Sequence, residues 1–266
     1  MSAASLRVEG LTGHFRTRRG EVPVLADVGF TARPGEVTAI VGETGSGKSL
    51  TALSILRIAP PAFVVDNGCV LLDGVDLLAL PERRMRAVRG ARVSMVFQDA
   101  RSALNPVLPV GRQLADVCRL HRPMSRRDAE RAAVAALTAV QIPDAARRAG
   151  QYPHEFSGGM AQRALIAMAL ICEPEVVIFD EPTTGLDVTI QAEIMGLIGT
   201  LTAGGLTALL ITHDLGVVAE TCAAVVVMRD GRVVEEASTE DIFTRPGHPY
   251  TVQLLAASRL VEGTAR

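Results

Sequence analysis

The chain has 266 residues, 48% of them hydrophobic, with 27 basic and 29 acidic side chains and a net charge of −2. That length fits one large α/β domain, or a domain with a subdomain, and the apolar content is ample for a core. The charge argues against general nucleic-acid binding, which calls for a basic face.

The segment from Met1 to Arg7 lacks the apolar stretch of a signal peptide. Strands are expected over Leu6–Phe15 and Val22–Ala32, joined by the polar turn Arg16–Glu21. The β-branched run Val37–Val41 ends at Gly42, and a helix follows from near Lys48. Val70–Leu72 and Val93–Phe97 are further strand candidates. From about Arg101 to Phe156 the chain reads as helical. Ser125 with Asp128 three residues on marks a helix start before the Ala-rich run Ala129–Val140, and Pro143 and Pro153 punctuate the stretch. Strands return at Val176–Asp180, Ala208–Thr212 and Ala224–Met228, and the tail from Val261 is expected to fray. Alternating strand and helix implies a mostly parallel sheet, with ligands at the carboxyl ends of its strands.

The longest apolar run, Ala164 to Cys172, is nine residues, well short of a membrane span. Cys69, Cys118, Cys172 and Cys222 show no metal or redox spacing and are expected as buried free thiols in a reducing compartment. The five histidines show no metal-ligand pairing.

Of the 27 basic residues, one is lysine. It is Lys48, within Gly42-Glu43-Thr44-Gly45-Ser46-Gly47-Lys48-Ser49, a full G-x-x-x-x-G-K-S phosphate-binding loop between strand and helix. Arginine is a wide planar fork and lysine a compact ammonium on a flexible stem, so a loop wrapped closely on phosphates has room for the second only. Backbone N–H groups and the helix N-terminus cradle phosphate oxygens. Lys48 then reaches the β- and γ-phosphates, and the Ser49 hydroxyl ligates Mg²⁺; Thr51, just inside the helix, joins the nucleotide-binding set. A second element is the strand Val176–Asp180, which ends in the adjacent carboxylates Asp180 and Glu181. Asp180 is placed to help hold Mg²⁺, and Glu181 to orient or deprotonate the attacking water. The third is Ser157-Gly158-Gly159 ahead of an apolar helix, a second anion-binding element of backbone donors, hydroxyl and dipole end.

Phe156-Ser157-Gly158-Gly159-Met160-Ala161-Gln162-Arg163, lying about twenty residues before Asp180-Glu181, resembles the signature motif of ABC ATPases. The resemblance covers Leu6 to about Ser258. It implies a phosphate-loop NTPase fold with a mostly parallel core sheet, an antiparallel β subdomain and an inserted α-helical subdomain. The implied domain is residues 1–258: core and β subdomain at about 1–100 and 157–245, helices at about 101–156 running into the signature helix, and a frayed tail over 259–266. Gln98 matches the glutamine that contacts Mg²⁺ and the transport partner, Asp187 the loop that crosses the dimer interface, and His213 the switch histidine on the γ-phosphate. Phe15 is the best match for the aromatic that stacks on adenine; packing in the core is an equal alternative. In this family two ATPase domains close head to tail on two ATP molecules, so Ser157, Gly158 and Gly159 would complete a partner's site.

Three segments are similar to the peptide and nickel importer branch: Phe97 to Pro106, Tyr152 to Met160, and Gly247-His248-Pro249-Tyr250-Thr251. Met160 stands where the general signature has glutamine. From physics alone the last segment is a turn before a helix. The resemblance implies an ATP-hydrolysing subunit at the cytoplasmic face of the membrane, with two integral membrane permeases, a second ATPase subunit (a distinct homologue, or an identical chain) and, indirectly, a solute-binding protein. The solute is peptide or nickel, and no nucleic acid is involved. No cysteine lies beyond Cys222, so no iron–sulfur cluster is expected. Alternatives are a soluble ABC ATPase of DNA repair or translation, and a phosphate-loop small-molecule kinase.

Overall fold

The computed structural model describes the backbone of residues 4–264 and side chains through Ser258. The first elements are β1 (Leu6–Thr17), β2 (Gly20–Ala32), β3 (Val37–Val41), α1 (Lys48–Ile55), β4 (Phe63–Leu72) and β5 (Val75–Asp76). Next come α2 (Glu82–Val88), β6 (Val93–Val96), α3 (Ala100–Ala103), α4 (Val110–His121), α5 (Arg126–Ala139), α6 (Ala145–Arg148) and α7 (Gly158–Leu170). Then follow β7 (Val176–Asp180), α8 (Val188–Ala203), β8 (Thr207–Ile211), α9 (Leu215–Thr221), β9 (Ala224–Arg229), β10 (Arg232–Ser238), α10 (Thr239–Thr244) and α11 (Pro249–Thr264). The chain divides into two compact units: Arg83–Leu206, and a unit joining the residues up to Glu82 to those from Thr207 onward.

The unit built from both chain ends carries two layers of strand. One is the antiparallel sheet β2-β1-β4-β5. The other runs β10-β9-β3-β8, with β9, β3 and β8 parallel and β10 antiparallel at the edge. Every residue of β3 and β8 is buried. These are the continuous apolar runs of a strand covered on both faces, and each fully buried Val, Leu or Ile contributes about 1.5–3 kcal/mol. The expected polar turn Arg16–Glu21 is shorter than read: Thr17 pairs with Gly20, leaving only Arg18 and Arg19 in the loop. Gly20 has φ of 119°, and its freedom at positive φ lets both strands extend into a tight hairpin. The strand read at Val70–Leu72 begins at Phe63, and the edge strand β10 was not anticipated. Its burial is only intermittent, so it lacks the apolar run that marked its neighbours. Helix α11 carries helical backbone through Thr264, within the segment expected to fray; residues 265 and 266 lie outside the described residues.

The other unit pairs β6 and β7 in parallel and surrounds them with helices. The expected subdomain limits near 101 and 156 fall inside this unit. Ser125 caps α5 as its sequence implied, accepting from Asp128 N, and Ala129, Ala133 and Leu137 bury one face at four-residue spacing. Helix α4 does the same through Val110, Leu114, Ala115 and Cys118. The arginines at 119, 126, 127 and 131 are exposed, a solvated helical face as their charge dictates. All four cysteines are free thiols; Cys118, Cys172 and Cys222 are buried, whereas Cys69 is only half-buried on β4. Burial pushes the Cys222 thiol up to about 11.

Candidate functional site

The phosphate loop leaves β3 at Gly42 and enters α1 at Lys48. Gly42 has φ of 150°, and a Cβ there would lie 2.1 Å from the Met228 carbonyl oxygen. Gly47 has φ of 101°, and its Cβ would lie 2.7 Å from a Leu25 methyl. Neither position admits another residue, so both glycines of the motif are demanded by close approach and by backbone region. Gly45, with φ of 86°, has open space where a Cβ would be and leaves the loop's outer face bare.

Lys48 is 6% exposed. Its ammonium donates to Gly42 O at 2.7 Å and Glu43 O at 2.8 Å, and lies 3.5 Å from Ser46 Oγ. Ser49 stands exposed in the first turn of α1. Thr51 is fully buried, and its hydroxyl donates to Gly47 O at 3.0 Å, so it braces the loop from beneath. His213 follows β8. The parallel register matches Ile40 with Ile211, and Thr212 N donates to Ile40 O at 3.3 Å, so His213 leaves β8 at the same carboxyl end from which the phosphate loop leaves β3. Phe15 is half-buried with its ring edge-to-face on Phe63, centroids 5.3 Å apart.

The other unit carries a second strand-end corner. Val96 of β6 pairs with Phe179 of β7, so Gln98 and Glu181 emerge side by side. Gln98 Nε2 donates to Glu181 Oε2 at 3.1 Å, and Thr184 Oγ1 donates to the same oxygen at 2.9 Å. Asp180, at the end of β7, is 8% exposed. Glu181 itself has φ of 45°. A left-handed backbone costs a non-glycine residue about 1–2 kcal/mol, and such strain concentrates at functional sites, where it aims a side chain. Thr184 was not singled out from the sequence. A hydroxyl three residues after the Asp180-Glu181 pair, in the turn Glu181–Thr184, was the available signal.

Ser157 caps α7, accepting from Met160 N at 3.3 Å. A Cβ on Gly159 would lie 2.7 Å from Ile190 Cγ2, and one on Gly158 would touch Leu186 at 3.4 Å. The two glycines thus let α7 pack against the start of α8, where Asp187 caps the helix by accepting from Ile190 N at 3.0 Å. Gln98, Asp180, Glu181, Asp187 and Ser157–Gly159 lie in the unit Arg83–Leu206; the phosphate loop, Thr51, Phe15 and His213 lie in the other.

Taken unit by unit, the residues fit parts of a nucleotide site: Lys48 holds an ammonium inside the phosphate loop next to the Ser49 hydroxyl, and in the other unit Asp180 and Gln98 carry oxygens of the hard kind that Mg²⁺ takes. Among the described residues, no group of three or more His, Cys, Asp or Glu could hold a metal ion. No described helix is long and apolar enough to cross a membrane.

A protein of Brucella abortus (strain 2308), named provisionally as a peptide import ATP-binding protein, is 52% identical over 257 residues, covering 94% of this chain and 76% of that one. The oligopeptide transport ATP-binding protein OppD of Salmonella typhimurium is 47% identical over 253 residues, covering 95% and 75%. Among solved structures, the dimeric post-hydrolysis state of the ATP-binding cassette MJ0796 bound to ADP and Pi superposes with a TM-score of 0.78. That match is at 25% identity and covers 88% of this chain and 98% of the other. The family described as ABC transporter matches residues 25–184, and this chain belongs to it.

Proposed function

We propose that this chain is the ATP-hydrolysing subunit of a membrane importer for peptides, bound at the cytoplasmic face to two permease subunits. The observation that carries the catalytic part is the Glu181 carboxylate held by Gln98 and Thr184 at the end of β7. Lys48 and the loop's N–H groups bind the β- and γ-phosphates, and the half-buried Phe15 ring stacks on adenine. Ser49 from one unit and Asp180 and Gln98 from the other would hold Mg²⁺, which would supply neutralisation of phosphate charge. Glu181 orients the attacking water and takes its proton as oxygen bonds to the γ-phosphorus. The bond to the β–γ bridging oxygen breaks and ADP leaves. His213, at the same strand end as the phosphate loop, would contact the γ-phosphate. Ser157, Gly158 and Gly159 serve the ATP of a second ATPase subunit, and Asp187 borders the same interface.

Peptide is favoured over nickel because the relatives are named for peptide transport. A groove lined by the exposed Val107, by Arg112 and by the half-exposed Tyr152 supports permease docking on the helices expected to form the subdomain at about 101–156. The longest described helices, α8 and α11, have 16 residues each, so the long coiled coil of a repair ATPase has no support among the described residues.

The test is ATP hydrolysis by the chain reconstituted with its permeases and solute-binding protein. Turnover is expected to rise when peptide is added. Ser157→Arg should abolish that rise while the isolated chain still binds ATP, because the substituted residue acts on the partner's nucleotide. Peptide-independent turnover, or ATP binding lost in isolated Ser157→Arg, would overturn the reading.

A further inference from the structure

The segment Gly247–Thr251 has no role in the function above, yet it is built into the unit that holds the phosphate loop. Glu235 of β10 gathers it. The carboxylate accepts from Gly247 N at 2.7 Å, His248 N at 3.0 Å and Thr251 Oγ1 at 2.5 Å. His248 Nδ1 accepts from Tyr250 N at 3.1 Å as α11 begins. Tyr250 is thereby driven inward to 3% exposure, with the Arg229 guanidinium 4.8 Å from its ring centroid. Its hydroxyl oxygen accepts from Glu43 N at 3.0 Å.

Glu43 N belongs to the same planar peptide as Gly42 O. That carbonyl is what Lys48 Nζ donates to at 2.7 Å. The peptide is trans, so its N–H and C=O point in opposite directions. One peptide plane is therefore fixed at both ends, Tyr250 on one side and Lys48 on the other. Turning that plane would swing the carbonyl away from the ammonium. Gly42, whose φ of 150° suits no side chain, has few alternatives once the plane is held.

We propose that Tyr250 is a positioning residue for the phosphate loop: its hydroxyl locks the Gly42–Glu43 peptide and so holds Lys48 in place for the triphosphate. The inference rests on the ATP-binding reading above. It is tested on the full chain with Tyr250→Phe, which removes one oxygen and keeps the buried ring. Affinity for Mg·ATP should fall about tenfold, the scale of one lost hydrogen bond at the loop, while the thermal midpoint falls by no more than a few degrees. In the assembled transporter KM for ATP should rise with kcat unchanged, whereas a merely structural role would lower kcat through the active fraction. Thr251→Val, which loosens the Glu235 cluster but keeps the tyrosine hydroxyl, should lower the thermal midpoint without the tenfold loss. Equal ATP affinity in Tyr250→Phe and the natural protein would overturn the proposal, as would an equal loss in Thr251→Val. Failure of the natural protein to bind ATP at all would instead sink the ATPase reading.

Discussion

The proposed chemistry falls to two strand-end corners, one in each unit, and they are held in different ways. At the end of β3 the cation is fixed by its own loop: Lys48 donates to carbonyls six and five residues earlier, and glycines supply the backbone shape. At the end of β7 the carboxylate is fixed by side chains, one of them 83 residues away, Gln98 on Glu181. The first corner is built mainly from its own loop, with the Tyr250 hydroxyl on Glu43 N as a distant brace. The second exists because β6 and β7 pair in one register; a slip by one residue would turn Gln98 to the opposite face. On the proposed reading, binding is encoded mostly within one short motif, and hydrolysis depends on tertiary register.

That contrast can be broken by experiment. The largest effect is expected at the carboxylate corner. Glu181→Gln should keep ATP binding but slow steady-state hydrolysis by the assembled transporter at least about a hundredfold, the scale of losing a general base. Turnover near that of the natural protein would take Glu181 out of the catalytic role. At the cation corner Lys48→Arg should reduce ATP affinity by about tenfold or more, since a planar fork replaces a buried ammonium within 2.8 Å of two carbonyls. Unchanged affinity in equilibrium binding would erase the steric distinction between the two cations.

The smallest effect concerns the cluster behind the loop. Burial opposes ionisation of Glu235, but hydrogen bonds from Thr251, Gly247 N and His248 N outweigh it and hold the carboxyl below its ordinary value. A depressed folded value means the contribution to stability is present above the ordinary glutamate range and is lost as pH falls through the folded value. Glu235→Gln should therefore lower the thermal midpoint by about 1–3 °C at pH 7, a modest figure because the group is only partly buried. The gap should close below roughly pH 4. Thermal scans at the two pH values decide it, and a gap that persists in acid would assign the loss to packing.

Much of this was legible in the residues. The run Val37–Val41 before Gly42, the cap at Ser125 and the strand ending at Asp180 all stand where their patterns put them, because each is marked by a signal within a few residues, an unbroken apolar run or a hydroxyl three residues before its N–H donor. The misses share a cause too. Strand β10 has a half-exposed, charge-bearing sequence that becomes a strand only by pairing with β9. Thr184 gained a role only once the turn after Glu181 folded back. Phe15 could not be decided from sequence between adenine and core, and its edge-to-face contact with Phe63 joins residues 48 positions apart.

By itself the sequence determined the chemistry on offer: a single lysine in a glycine-rich loop, two carboxylates at a strand end and a Ser-Gly-Gly helix start. These are short motifs whose physics is backbone conformation and residue type at close spacing. Only the tertiary structure decided which distant groups serve them, Gln98 on Glu181 and Tyr250 on the Gly42–Glu43 peptide. A hydrogen bond across 83 or 207 residues leaves no periodic or local trace in the chain, because strand register and packing create it.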